Sequence, residues 1–310
     1  MKKEEFSFKS SDGKNEIRAV RYVPDKEVKA ILQIAHGMVE FIDRYEGFAG
    51  FLTGKGYLVT GNDHLGHGGS VKSKEDWGYL GEDGYEHVLK DMHELTKITK
   101  ELYPDKPYYL LGHSMGSFFA RNYLAEYGEE LSGAIIMGTG LEPSYKIVGG
   151  MMICRLIALF KGWRYRSDFV NNMAFGAYNK RFEPARTRAD WLSKDEKLVD
   201  WYVNEEKCSF KFTLNGYYQM FRCILNLHNK EALRKIPKDL NVLFVSGSDD
   251  PVGSFGKEVE HSIRTLEKTG ERNITYKLYP NDRHEILNEL DKETVYEDLY
   301  RWLETGKLEA

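Results

Sequence analysis

Short runs of consecutive apolar, β-branched and aromatic residues recur along this chain with segments of helical period between them. That alternation limits the fold more than any other feature. The runs are NEIRAVRYV (15–23), KAILQIA (29–35), YLVTGND (57–63), PYYLLG (107–112), LSGAIIMG (131–138), NVLFVSG (241–247) and ITYKLY (274–279). Apolar residues at successive positions fit strands covered on both faces. Between them, RYEGFAGFLTGKG (44–56) sets Tyr45, Phe48, Phe51 and Leu52 on one side, and GYEHVLKDMHELTKITKELYP (84–104) reads as a long amphipathic helix stopped near Pro104. ETVYEDLYRWLETG (293–306) spaces Val295, Leu299 and Trp302 as one helical face. Strand, helix, strand order predicts an α/β fold: a mainly parallel sheet with helices on both faces and right-handed crossovers.

The alternation fails from about 142 to 230, where no convincing strand is found and aromatics are dense, among them Trp163, Tyr165, Phe169, Phe175, Trp191, Trp201, Tyr202, Phe210, Phe212, Tyr217 and Phe221. This segment is predicted to be a helical cap inserted into a core made of 1–141 and 231–310. Most of its aromatics are expected to form a small core of their own, and a few to line a pocket. A chain of 310 residues is long enough for one such core plus an insertion.

A formal net charge of −4, with acids and bases interspersed, gives no reason to expect nucleic acid as a partner. The start, MKKEEFSFKSSDG, has no apolar core of a secretory signal, so a cytoplasmic location is expected. Cys154, Cys208 and Cys223 are odd in number and lack metal spacing, which fits reduced thiols. The apolar stretch IVGGMMICRLIALF (147–160) is too short to span a bilayer and carries Arg155. Two readings of it stand: a helix packed over a pocket mouth, or one that rests on a lipid surface with Lys161, Arg164 and Arg166 behind it.

The string YYLLGHSMGSFF (108–119) contains G-x-S-x-G where an apolar strand gives way to a helical segment. A serine hydroxyl needs a base to take its proton and donors to hold the oxyanion formed on attack. A sharp strand-to-helix turn meets part of this need: it lifts Ser114 off the sheet and aims the next amide, that of Met115, at the developing charge. His113 cannot easily turn back to that hydroxyl and is expected to be structural. In an open parallel sheet the partners should lie on loops at the carboxyl edge. Only His284, in YKLYPNDRHEIL, follows a late strand, which makes it the candidate base. The loop after NVLFVSG offers Asp249 and Asp250 as the acid, with Asp282 a weaker rival on the histidine's own loop. QIAHGMVE (33–40) breaks at His36-Gly37, where the Met38 amide can serve as a second oxyanion donor. GNDHLGHGGS (61–70) gathers Asp63, His64 and His67, but without further ligands it reads as a hydrogen-bonded turn supporting the site. No phosphate loop or dinucleotide fingerprint is found, so neither metal nor cofactor is expected.

These motifs in order, H-G-x-x-E at 36–40, D-H-x-G-H-G-x-S at 63–70, G-H-S-M-G at 112–116, G-S-x-D at 247–250 and a late D-R-H, resemble the α/β-hydrolase fold. Within it they are similar to the monoacylglycerol lipase and lysophospholipase-like serine hydrolases, a group that includes S33-type aminopeptidases. The resemblance selects Asp250 over Asp249, implies oxyanion donors at Met38 and Met115, and implies a cap after the sixth strand. It departs at Phe41, where the family often has histidine, and at Leu65, where it often has arginine. The expected reaction is hydrolysis of an apolar, lipid-like ester through an acyl-enzyme on Ser114. An amide hydrolase with the same triad, or a receptor that uses the capped pocket only for binding, are the alternatives.

Overall fold

The computed structural model describes residues 1–270 and 273–308. In chain order the elements are β1 (Lys2–Lys9), β2 (Glu16–Val23), β3 (Ala30–Ala35), α1 (Glu46–Gly54), β4 (Tyr57–Asn62), α2 (Gly84–Leu102), β5 (Tyr108–His113), α3 (Met115–Tyr127) and β6 (Gly133–Met137). The helices α4 (Ser144–Lys161), α5 (Asp168–Phe175), α6 (Glu196–Asn204), α7 (Leu214–Asn226) and α8 (Lys230–Leu233) follow, then β7 (Val242–Gly247), α9 (Lys257–Glu267), β8 (Ile274–Tyr279) and α10 (Lys292–Thr305). The strands form one sheet in the order β1-β2-β4-β3-β5-β6-β7-β8. From β4 to β8 every pairing is parallel; β1–β2 and β2–β4 are antiparallel.

The consecutive apolar runs do what their pattern requires. In β3, Ile31 and Ala35 pack with the helices of one face while Leu32 and Ile34 pack with those of the other; in β7, Val242 and Phe244 oppose Leu243 and Val245 in the same way. One layer contains residues of α2, α3, α7 and α9, including Met92, Phe119, Tyr217 and Val259. The opposite layer is built on α1 and α10, with Phe48, Leu52, Leu299 and Trp302. Each such side chain taken out of water contributes about 1.5–3 kcal/mol, so the central strands are fixed from both sides.

The first strand was not among the predicted runs. β1 carries lysines and glutamates, and only its alternate residues Glu4, Phe6 and Phe8 are half-buried. It is an edge strand that needs only one partner, and the Arg21 guanidinium lies 4.4 Å from the Phe6 ring. Charged edges of this kind discourage pairing with another chain.

Between Met137 and Val242 the described chain forms helices and 3-10 turns and no strand. Phe212, Tyr217 and Phe221 are buried there as expected, but Trp163, Tyr165, Phe169 and Trp201 are exposed. These three join the layer of α2, α3 and α9 rather than a core of the segment's own; a separate small cluster forms only around Leu192, Val199, Tyr202 and Cys208, and the outer side of α4 to α6 leaves its aromatics exposed.

Candidate active site

The predicted site residues gather at the carboxyl ends of parallel strands, the edge where open α/β sheets bind ligands: Met38, Asp250 and His284 on loops after β3, β7 and β8, and Ser114 and Met115 where β5 turns into α3. Ser114 follows β5 and starts α3 with φ +53° and ψ −120°, a left-handed backbone that is strained for a residue with a Cβ. The turn is pinned: the Ser114 amide donates to Met137 O at 2.9 Å, and Ser117 donates to Ser114 O through its amide at 2.8 Å and its hydroxyl at 2.5 Å. The flanking glycines are there for packing. A Cβ on Gly116 would lie 2.0 Å from Ala35 O, so α3 could not sit against the end of β3 with any side chain at that place.

His284 Nδ1 and Asp250 Oδ2 are 2.9 Å apart, both side chains being buried. Asp250 also accepts from the Ser246 hydroxyl at 2.9 Å and the Val252 amide at 2.9 Å. Burial opposes ionisation of Asp250, but the His284 ring and these donors outweigh it and hold the carboxyl below the usual range. The two rival aspartates point elsewhere. Asp249 pairs with Arg181 at 3.1 Å, and Asp282 pairs with Lys194 at 2.5 Å. Ser114 and His284 line one cavity of about 550 Å³, together with Met38, Phe175, Trp191 and Phe210.

Gly37 brings the Met38 loop against Ser114. A Cβ there would meet Ser114 Cβ at 3.0 Å and Glu40 Oε1 at 2.5 Å, so only glycine lets the backbone come this close. Among the described residues neither the Met38 nor the Met115 amide donates to a protein acceptor.

Sequence reasoning missed the buried polar network behind these loops. Glu40 Oε1 accepts from the Gly37 amide, from Tyr45 Oη at 3.0 Å and from His113 Nδ1 at 3.1 Å. Arg44 binds Glu40 at 2.7 Å and reaches Glu285, the neighbour of His284, with Nη1 and Nη2. His113, expected to be structural, packs its ring 4.7 Å from that of His284, and its Nε2 lies 3.4 Å from His284 O. Burial alone would raise the Glu40 carboxyl and lower His113; their hydrogen bond and the charge of Arg44 reverse the first, and Glu40 reverses the second. The closing glutamate of H-G-x-x-E, Glu40, was the available signal for this cluster. Arg44 gave none, because a cation in an amphipathic segment reads as a surface residue.

The turn 61–70 is held by Asp63, which accepts from the Ile42 amide at 2.9 Å and the Gly69 amide at 2.7 Å, and whose carbonyl accepts from the Ser70 hydroxyl at 2.7 Å. His36, His64 and His67 cluster in tilted and edge-to-face contacts, with the His36 ring 4.2 Å from that of His64 and 5.2 Å from that of His67. His36 Nε2 accepts from the His64 amide at 2.9 Å. Burial keeps the latter two rings neutral, His67 falling to about 3 and His64 well below its usual range. Among the described residues no group of three or more His, Cys, Asp or Glu is placed to hold a metal ion. Phe41, where the resembling family often has histidine, packs 6.5 Å from Trp201 with Lys207 Nζ over its ring at 4.8 Å.

Residues 26–291 match the family model described as serine aminopeptidase, S33. The chain is similar to the monoglyceride lipase homolog of Monkeypox virus, 38% identical over 282 residues that cover 89% of each chain. It is similar also to the monoglyceride lipase of Mus musculus, 31% identical over 285 residues, 90% of this chain and 84% of that one. Among solved structures, a thermostable carboxyl esterase from Bacillus coagulans in complex with glycerol superposes with a TM-score of 0.90 at 31% identity, covering 98% of both chains.

Proposed function

Because the chain belongs to the serine aminopeptidase S33 family of α/β-hydrolases and is a serine ester hydrolase, we propose that it cleaves apolar acyl esters of the monoacylglycerol class through an acyl-enzyme on Ser114. The observation that carries this reading is the buried 2.9 Å contact of His284 with Asp250 on the wall of the cavity that Ser114 faces. Ser114 attacks the ester carbonyl while His284 takes its proton and delivers it to the leaving alcohol. Asp250 orients the ring and stabilises the imidazolium. The amides of Met38 and Met115 hold the oxyanion, each donor contributing about 3 kcal/mol to the transition state. Water then attacks the acyl-enzyme with His284 as base, releasing the acid and restoring Ser114.

Residues 142–230 serve in this reading as a cap over the cavity, with 1–141 and 231–310 as the catalytic core. Phe175, Trp191, Tyr202 and Phe210 from that segment line the cavity, which suits an acyl chain. On its outer side α4 exposes Met152, Leu156, Leu159 and Phe160, and α5 exposes Phe169. We assign this face a passing contact with lipid, through which a greasy substrate reaches the cavity. Arg164 turns instead to Asp76 at 2.8 Å and Arg166 to the carbonyls of Lys211 and Glu75, so the apolar face carries this reading and these two arginines do not. Among the described residues no helix is long and apolar enough to cross a membrane. A reducing compartment, the cytoplasm, suits the three buried free thiols.

Ser114→Ala is expected to abolish turnover of p-nitrophenyl esters and labelling by a fluorophosphonate. Full activity in that variant would remove the serine from the mechanism. A chain-length series of monoacylglycerols tests the substrate class, and faster cleavage of aminoacyl-naphthylamides than of any ester would favour the amide-cleaving alternative. Flotation with phosphatidylcholine vesicles tests the outer face. Leu159→Glu should weaken flotation, and an unchanged floated fraction would remove the lipid contact.

A further inference from the structure

The late D-R-H motif gives the proposed mechanism its histidine and leaves Asp282 and Arg283 without a role. Both reach into one short stretch of the inserted segment, 190–194. Arg283 Nη1 donates to Asp190 O at 2.5 Å and to Ser193 O at 3.2 Å, and its guanidinium lies 4.2 Å from the Phe182 ring. Asp282 Oδ1 accepts from Lys194 Nζ at 2.5 Å. The backbones are joined as well: the His284 amide donates to Trp191 O at 3.4 Å and the Glu285 amide to Leu192 O at 2.8 Å. Buried Glu289 closes the seam, accepting from the Lys194 amide at 3.1 Å and from the Arg283 amide at 3.0 Å. The same stretch lays the Trp191 ring 5.0 Å from the His284 ring.

Seen from His284, the sheet side supplies Asp250 at Nδ1 and the His113 ring at 4.7 Å, while the inserted segment holds the backbone on both sides of the ring and packs Trp191 against it. We propose that Arg283 and Lys194 are positioning residues, which clamp the histidine loop to stretch 190–194 so that the inserted segment sets where the imidazole sits. The clamp rests on the reading of His284 as general base. It also divides the insertion: 190–194 cannot leave the cavity without carrying His284 along, so any widening of the mouth falls to the other lining parts, α5, α6 and residues 209–211. A loop displaced by an ångström at a reacting group costs on the order of 100-fold in rate, which sets the scale expected here.

The test uses the full chain with a soluble p-nitrophenyl ester and titration of active sites by a fluorophosphonate, so that kcat is counted per competent serine. Arg283→Ala should lower kcat per site by roughly 10- to 100-fold with KM changed less than about twofold, and Arg283→Lys should recover part of the loss. Lys194→Met, which leaves every backbone bond of the seam possible, should lower kcat per site by a smaller factor. Fewer titratable sites with kcat per site unchanged would mean that Arg283 only supports folding, and would overturn the proposal. Equal losses in Arg283→Lys and Arg283→Ala, with KM rising in step, would also overturn it. Ser114→Ala and His284→Ala run alongside: if either keeps turnover, the assignment of the triad fails on its own account, whatever the clamp variants do.

Discussion

Arg44 and Glu285 form a buried two-pronged ion pair, with Nη1–Oε1 at 2.8 Å and Nη2–Oε2 at 2.6 Å, each side chain less than 5% exposed. The pair ties the turn before α1 to the residue that follows His284, across 241 positions of sequence. Burial disfavours the charge on Arg44, yet Glu285 and Glu40 raise it well above its usual range, so it stays ionised. Removing one partner of such a pair strands the other charge in the interior. Arg44→Met is therefore expected to lose about 3–5 kcal/mol in urea unfolding and to lower turnover. A loss under about 1 kcal/mol, the value of an exposed pair, would show that water reaches these groups.

The two aspartates after β7 differ in what they hold. Asp250 receives His284, Ser246 and Val252, whereas Asp249 meets Arg181 of the inserted segment in a half-exposed pair. Asp250→Asn keeps the shape but offers the imidazole the wrong partner for its Nδ1–H, and kcat should fall on the order of 10⁴-fold. Asp249→Asn should cost less than about threefold, as an exposed ion pair would. Similar losses in both variants, read from steady-state rates, would remove Asp250 from the base's support.

Asp282 has the opposite character. Burial raises its carboxyl to about 6; Lys194 pulls it down without prevailing, and Asp291 and Glu289 push it up. A carboxyl whose folded value exceeds its ordinary 3.8 favours the folded state while protonated, and that contribution is lost as pH rises through about 6. Asp282→Asn should thus be more stable than the parent at pH 8, and the gap should close as pH falls below about 6. Urea midpoints at several pH values check this; a gap that widens toward acid would mean that Lys194 governs the pair.

What could be read in the sequence follows physical lines. Strands covered on both faces leave unbroken apolar runs, and a tight strand-to-helix turn needs its glycines, so β3 to β7 and the loops carrying Ser114, Asp250 and His284 were all visible; the half-buried edge strand β8 showed by its β-branched and aromatic residues. β1 was hidden because an edge strand with one neighbour tolerates KKEEFSFK. The Glu40–Arg44–Glu285 cluster was hidden for a different reason. Its charges are neutralised by partners far away in sequence, and Arg44 to Glu285 is a pairing that no local pattern encodes. The clamp of Asp282 and Arg283 on 190–194 falls in the same class.

Glu40 and His113 make the last case, because their shifts run in opposite directions and bound a window. Burial works against the charge on each, but Glu40 is held below its ordinary 4.5 by His113 and Arg44, and His113 is held above its ordinary 6.5 by Glu40. The lowered carboxyl contributes stability that is complete above pH 4.5 and fades as pH drops through its folded value; the raised imidazole contributes stability that is complete below pH 6.5 and fades as pH climbs through its own. The stabilisation lost in Glu40→Gln should therefore be greatest between these two values and shrink on either side. Glu40→Gln also deprives the Gly37 amide of a charged acceptor, loosening the turn that presents Met38, so turnover should fall by roughly tenfold at every pH. Urea unfolding of parent and variant from pH 4 to 9 decides the first point. A difference that stays flat from pH 6 to 9 instead of shrinking would mean that His113 is neutral in the folded protein and that Glu40 acts through Arg44 alone.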